Sequence, residues 1–278
     1  MSKHKDQRLR SWQATGTIVL RDMAISEIPR FAFLVSGARV LDATNNMLRG
    51  IPPQIATFSS LQRLILTRNA ISSLCPELLA LRSLRVLALD VNRLAEIPEG
   101  IVGLTNLERL SLSHNSLAAI PDLSPLTKLT HLDISDNSLE RLPPGLPQGI
   151  EVGRPLPQLA WPAHQMWIAA HGPRPKLQDV NASQNRITSL PGWIGSLPSL
   201  KALRLDQNDL RALPPEVFQG CASLHTLSLH DNPITAREVE DTPGYAQWEE
   251  RRRAKFDKVV SSGVLLGARG LDEGVTRS

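Results

Sequence analysis

Apolar residues recur along this chain on a period of about 23 residues, far longer than the period of an amphipathic helix or strand. Within each unit, leucine stands at positions 0, 3 and 5, asparagine at 8, an aliphatic at 10 and a Leu-Pro or Ile-Pro pair near 13. One clear copy is Leu84, Leu87, Leu89, Asn92, Leu94, Ile97 and Pro98, and the next is Leu107, Leu110, Leu112, Asn115, Leu117, Ile120 and Pro121. The unit asparagines are Asn46, Asn69, Asn92, Asn115, Asn137, Asn185, Asn208 and Asn232, separated by 23, 23, 23, 22, 48, 23 and 24 residues. A weaker leading copy places Thr15, Ile18, Leu20, Ile25, Ile28 and Pro29 in register, with Met23 where asparagine would stand. About nine units are present.

The pattern predicts a coil of short strand, turn and return segment with every motif leucine pointing inward. A unit of this size cannot bury that face alone, so neighbours stack and share one core. The expected fold is an α/β solenoid, a horseshoe with parallel strands on its concave face. Each asparagine sits at the sharp inward turn, where its side-chain amide is expected to bond backbone groups of its own and adjacent coils.

Composition agrees. Leucine accounts for 44 of 278 residues and aromatics for only 4%, while 41% hydrophobic content is too high for a chain disordered throughout. The ends of the stack need covers. Residues 1–14 read as a basic N-terminal segment, with Trp12 and the Met23 unit closing the front; residues 15–235 form the solenoid. Residues 236–260 read as a C-terminal capping helix, amphipathic from Tyr245 with Trp248 and Phe256 on one face, and the glycine-containing 261–278 as a flexible tail.

The 48-residue step is one unit plus an insertion at about 147–175, rich in proline and lacking the leucine motif. Trp161 and Trp167 within it are candidate partner contacts, or they fold back over the convex side. His164 and His171, seven residues apart without a neighbouring carboxylate or thiol, match no metal-ligand pattern. Cys75 and Cys221 are too few for a disulfide framework or a zinc quartet, which suggests a reducing compartment and a cytoplasmic location. The Met1-Ser2 start carries no apolar leader, and Ser2 in place of Gly is incompatible with an N-myristoyl anchor, so no stable membrane anchor is expected.

Neither a phosphate-binding glycine loop, a nucleophile elbow nor a zinc-protease helix motif occurs, and the sequence offers no catalytic residue, metal ligand or cofactor site. Positions predicted to face solvent inside the horseshoe carry Arg21, Arg63, Arg68, Arg109 and Arg204 against Asp22, Asp42, Asp90, Asp133, Asp136, Asp179, Asp206 and Asp231. From the Leu129 unit onward the balance is five Asp to one Arg. This sign argues against nucleic acid. It leaves two readings open, a solvated face and an acidic dock for a basic protein segment, with Asp133, Asp136, Asp179, Asp206, Asp231 and Arg204 as the candidate residues.

The Leu-Pro pairs on a 23-residue period without cysteine-rich caps resemble the intracellular leucine-rich repeat proteins, in particular the plant and algal Ras-group-related family. The segments from Trp12 to Asp22 and from Tyr245 to Val275 share in that likeness. The resemblance implies a non-catalytic protein interaction scaffold or assembly subunit, with one or more protein partners and membership of a larger complex. It also suggests a signalling regulator of a small Ras-like GTPase; the rigid solenoid with charged ends suits a cytoskeletal or ciliary component.

Overall fold

A computed structural model of the protein describes residues 2–146 and 176–261. Nine three-residue strands form one wholly parallel sheet in chain order: β1 (Thr17–Val19), β2 (Val40–Asp42), β3 (Arg63–Ile65), β4 (Val86–Ala88), β5 (Arg109–Ser111), β6 (His131–Asp133), β7 (Asp179–Asn181), β8 (Ala202–Arg204) and β9 (Thr226–Ser228). Each strand buries its middle residue and turns its two flanking side chains to the other face, as the two-residue alternation of a strand requires. The middle residue is the position-3 leucine, as in Leu64, Leu87 and Leu110, which are at most 1% exposed.

After each strand the chain must turn sharply inward, and it does so through a left-handed residue directly before the asparagine, or before Met23 in the first unit. Asp22, Asn45, Arg68, Val91, His114, Asp136, Gln184, Gln207 and Asp231 all have φ between 50° and 56°. Asparagine and aspartate tolerate this region; the β-branched Val91 fits it badly. The following asparagine satisfies the turn. Asn92 donates from Nδ2 to Leu66 O (3.0 Å) in the preceding coil and to Leu89 O (2.9 Å) in its own, while its Oδ1 accepts from Ile71 N (3.0 Å). The same set recurs at Asn46, Asn69, Asn115, Asn137, Asn185, Asn208 and Asn232. Only Asn185 and Asn208 are buried; the others are half-buried with their amides bonded inward.

Return segments carry one-turn 3-10 helices over Arg30–Leu34, Pro53–Thr57, Pro76–Ala80, Glu99–Gly103 and Gly192–Ser196. In most of them a proline precedes or opens the turn, at the position where a backbone N–H has no helical partner. These turns bring two further apolar positions into the core, near 17 and 20 in the unit, such as Ile55 and Phe58 or Ile101 and Leu104. The 24-residue unit instead has a short α-helix, α2 (Glu216–Gly220), which buries Val217 and Phe218. Here neighbouring return segments nearly touch: a Cβ on Gly220 would lie 2.1 Å from Gly195 O.

The 48-residue step does not interrupt the stack. His131 pairs with Asp179 and Asp133 with Asn181 in parallel register, and Asn185 Oδ1 accepts from Leu139 N at 3.0 Å. The insertion, with Trp161, Trp167, His164 and His171, lies outside the described residues, as does the tail beyond 261.

Both ends differ from the sequence expectation in detail. The basic N-terminal segment is a helix, α1 (Ser2–Thr15), closed by left-handed Gly16, whose N–H donates to Trp12 O at 2.8 Å. Trp12 is 4% exposed and stacks on Phe31 at 5.6 Å, which covers the first coil. The segment expected as one C-terminal helix over 236–260 is instead two. A short α3 (Ala236–Glu240) is opened by a capping box between Thr235 and Glu238, and α4 (Tyr245–Ser261) follows left-handed Gly244. Pro243 and Gly244 explain the break. Trp248 is 6% exposed, packs on Phe218 at 5.2 Å and donates from Nε1 to Leu224 O at 3.0 Å; the side chain of Phe256 lies outside the described residues.

Three outcomes test this account. Asn185→Ala strands backbone groups in two coils and should lower stability by about 1–3 kcal/mol, read as a lower urea midpoint. Gly220→Ala should destabilise by a similar ~1–3 kcal/mol through overpacking, whereas Gly37→Ala, with nothing within 4 Å of its added carbon, should not. Burial pushes the Cys221 thiol up to about 12, and its Sγ donates to Ile194 O at 3.1 Å; half-buried Cys75 is also raised by burial, to a lesser degree. At pH 8 a disulfide reagent should therefore modify Cys75 at least about tenfold faster than Cys221, and both at equal rates in denaturant; Cys75→Ser should abolish the fast phase.

Candidate functional site

The outward side chains of the nine strands form two parallel rows on the concave face. Strand register sets one row as Thr17, Val40, Arg63, Val86, Arg109, His131, Asp179, Ala202 and Thr226. The other runs Val19, Asp42, Ile65, Ala88, Ser111, Asp133, Asn181, Arg204 and Ser228. Neighbouring strands lie about 4.8 Å apart, so each row is a continuous strip of contact points on a rigid support. Aliphatic residues fall mainly on β1 to β4, and polar or acidic ones on β5 to β9.

The carboxylates read from the sequence as one acidic group have different partners. Asp133 Oδ1 accepts from Ser135 N (3.1 Å) and Ser135 Oγ (2.6 Å) in its own coil. Asp206 Oδ1 accepts from Ser228 Oγ (2.5 Å) and His230 N (2.8 Å) in the next one. Asp90 is held in the same way by Ser111 and Ser113. Asp206 and Asp90 thus tie adjacent coils together, while Asp133 braces its own.

Asp136 pairs with the His114 ring, Asp179 Oδ2 lies 3.3 Å from His131 Nε2, and Asp231 Oδ2 accepts from Gln207 Nε2 at 3.4 Å. Asp136 and Asp179 keep roughly half and a third of their side-chain surface open, and Asp231 is exposed. Arg204 is exposed on β8, one register step from Asn181 and two from Asp133.

Asp42 departs from the solvent-facing placement expected for it, being 2% exposed. Burial alone would raise its carboxyl, but hydrogen bonds from Arg21 Nε (2.7 Å) and from the hydroxyl and N–H of Thr44 prevail and hold it below the usual carboxylate range. A signal for the two roles was present in the sequence: Asp at position 4 with Ser or Thr at position 6, or Asp at position 6 facing such a residue in the next unit, is a carboxylate held by hydroxyls.

Among the described residues, no three His, Cys, Asp or Glu side chains come together as a metal site. No described helix is long and apolar enough to cross a membrane.

Comparison with known proteins bears on this arrangement. The family model described as a leucine-rich repeat region matches residues 37–265. Plant intracellular Ras-group-related LRR protein 7 of Oryza sativa subsp. japonica is 41% identical over 59 residues, 21% of this chain and 22% of that protein. Podocan-like protein 1 of Mus musculus is 28% identical over 156 residues, 48% of this chain and 27% of that protein. The matched stretches thus span well under two thirds of either relative's length.

Among solved structures, a leucine-rich repeat protein of Leptospira interrogans is 27% identical with a TM-score of 0.54, covering 84% of this chain and 57% of that one. An internalin of Listeria monocytogenes, at 23% identity and a TM-score of 0.61 over 82% of this chain and 58% of that one, shares the fold. With the model spanning most of the repeats and nine parallel strands carried on stacked asparagine turns, the chain belongs to the leucine-rich repeat family.

Proposed function

We propose that this chain is a non-catalytic protein interaction scaffold that presents its concave sheet to a partner protein in the cytoplasm. The observation that carries this reading is the pair of rows on the concave face, eighteen side chains at fixed spacing of which all but Asp42 and Ala202 are at least partly exposed, on a support of parallel strands and bonded asparagine turns. Membership of a repeat family supports it, and the free thiols of Cys75 and Cys221 suit a reducing compartment.

The finer reading is that Asp136, Asp179 and Asp231 dock a basic protein segment, with Asp133, Asp206 and Arg204 fixing the frame around them. Opposite charge across such a face steers association and sets its salt dependence. A small Ras-like GTPase is a second candidate partner. Its support is the 59-residue similarity to a rice protein with Ras-group-related in its name.

Crosslinking mass spectrometry on the native protein tests the scaffold: links to a partner should fall on β1 to β9, and links confined to the two helical ends would reject concave docking. The acidic dock is tested by Asp136→Asn, Asp179→Asn and Asp231→Asn together. Asparagine suits the left-handed turn residues 136 and 231, so the fold should survive. Capture should weaken by about tenfold at low salt and its salt dependence should flatten; unchanged capture would reject the dock. Binding that depends on the nucleotide state of the partner would identify the GTPase.

A further inference from the structure

Charge on the concave face changes sign along the solenoid, and the coils of β2 to β5 carry the feature that the acidic dock does not use. Val40, Arg63, Val86 and Arg109 are consecutive register partners, so valine and arginine alternate in a line across four strands. Beside them Ile65 and Ala88 form the second row, and the exposed Arg39 and Arg85 stand directly before β2 and β4 in the chain. Val40, Ile65, Val86 and Ala88 are half-buried, while all four arginines are exposed. Arg85 has Glu108 at 3.5 Å. Arg39, Arg63 and Arg109 have no carboxylate within ion-pair range among the described residues, and the nearby Asp42 and Asp90 are occupied by Arg21, Thr44 and serines.

We propose that this patch is a docking site for an acidic protein segment that carries aliphatic side chains between its carboxylates. The inference rests on concave docking as the mode of action and adds a second subsite of opposite sign. Charge complementarity selects the carboxylates, and planar guanidinium groups bind them in two-pronged fashion. The spacing selects the pattern. Arg63 and Arg109 are two strands apart, about 10 Å, as are Val40 and Val86; a segment in the polyproline II conformation, with about three residues per turn and a rise of about 3.1 Å per residue, brings every third side chain to one side at about that spacing.

A matching segment therefore repeats acid and aliphatic every third residue. Nucleic acid fits poorly because neither row offers an aromatic platform across these strands. A longer polyanion would also run into Asp133, Asp136 and Asp179 in the following coils.

Fluorescence anisotropy of the full chain with a labelled peptide of Glu-Ile-Ser repeats tests the site. The peptide should bind at least about tenfold tighter than one of Glu-Ser-Ser repeats, and one of Lys-Ile-Ser repeats should not compete. Arg63→Ala with Arg109→Ala should weaken binding at least about tenfold with an unchanged thermal melt, and Arg39→Ala alone should weaken it about threefold. Asp136→Asn with Asp231→Asn should not weaken it. Equal affinity for the Glu-Ser-Ser peptide, unchanged binding in the arginine variants, or displacement of the peptide by a short DNA duplex would overturn the proposal. Native crosslinks on β6 to β9 without peptide binding would remove this subsite and leave concave docking standing; peptide binding without concave crosslinks would do the reverse.

Discussion

Everything in this molecule depends on one constraint: a 23-residue coil can close neither its own apolar face nor the backbone of its own sharp turn. The leucines solve the first problem by meeting the leucines of the next coil. The asparagines solve the second by holding carbonyls of two coils and an N–H of the preceding one with a single amide. Because each amide spans neighbours, register is not free to slip. A strand that moved by one residue would turn its leucine outward and unbond its asparagine in the same step.

That constraint assigns the rest of the surface. Once inward positions are taken by leucine and turns by asparagine, the two flanking positions of each strand and the two positions before the asparagine are those free to vary on the concave side. Even these are partly recruited: Asp42, Asp90, Asp133 and Asp206 fix hydroxyls and N–H groups of their own or adjacent coils. The residues left for recognition are fewer than a charge count suggests, and they are sorted by sign, arginine among valines toward the front and aspartate among histidines toward the back.

Much of the fold was legible because its rule is periodic. Leu84 and Asn92 announce their places because their residue types recur at the same offsets in most units. The core positions near 17 and 20 were harder to read, since Ile55, Phe58, Ile101 and Leu104 vary in residue type and lie in 3-10 turns without a strict motif. Helix α1 was missed because its sequence is dominated by charge; the signal lay in Leu9 and Trp12, one turn apart ahead of Gly16. The broken C-terminal helix was readable at Pro243-Gly244. Of the concave site, the list of charged residues was visible, but their engagement was not: whether an aspartate is free or tied depends on what the neighbouring coil presents at the facing position. That is a property of pairs of units, invisible within any one of them.

The unbroken register between β6 and β7 has a consequence for how such a chain can change. The stack treats the stretch between Leu146 and Lys176 as though its length were zero, exchanging across it the bonds that consecutive coils exchange elsewhere. The bonds across this junction are made by the coils that flank it and do not depend on the number of residues between them. New sequence can be added, exchanged or removed there without any leucine or asparagine changing its neighbour, so an added function need not disturb the scaffold.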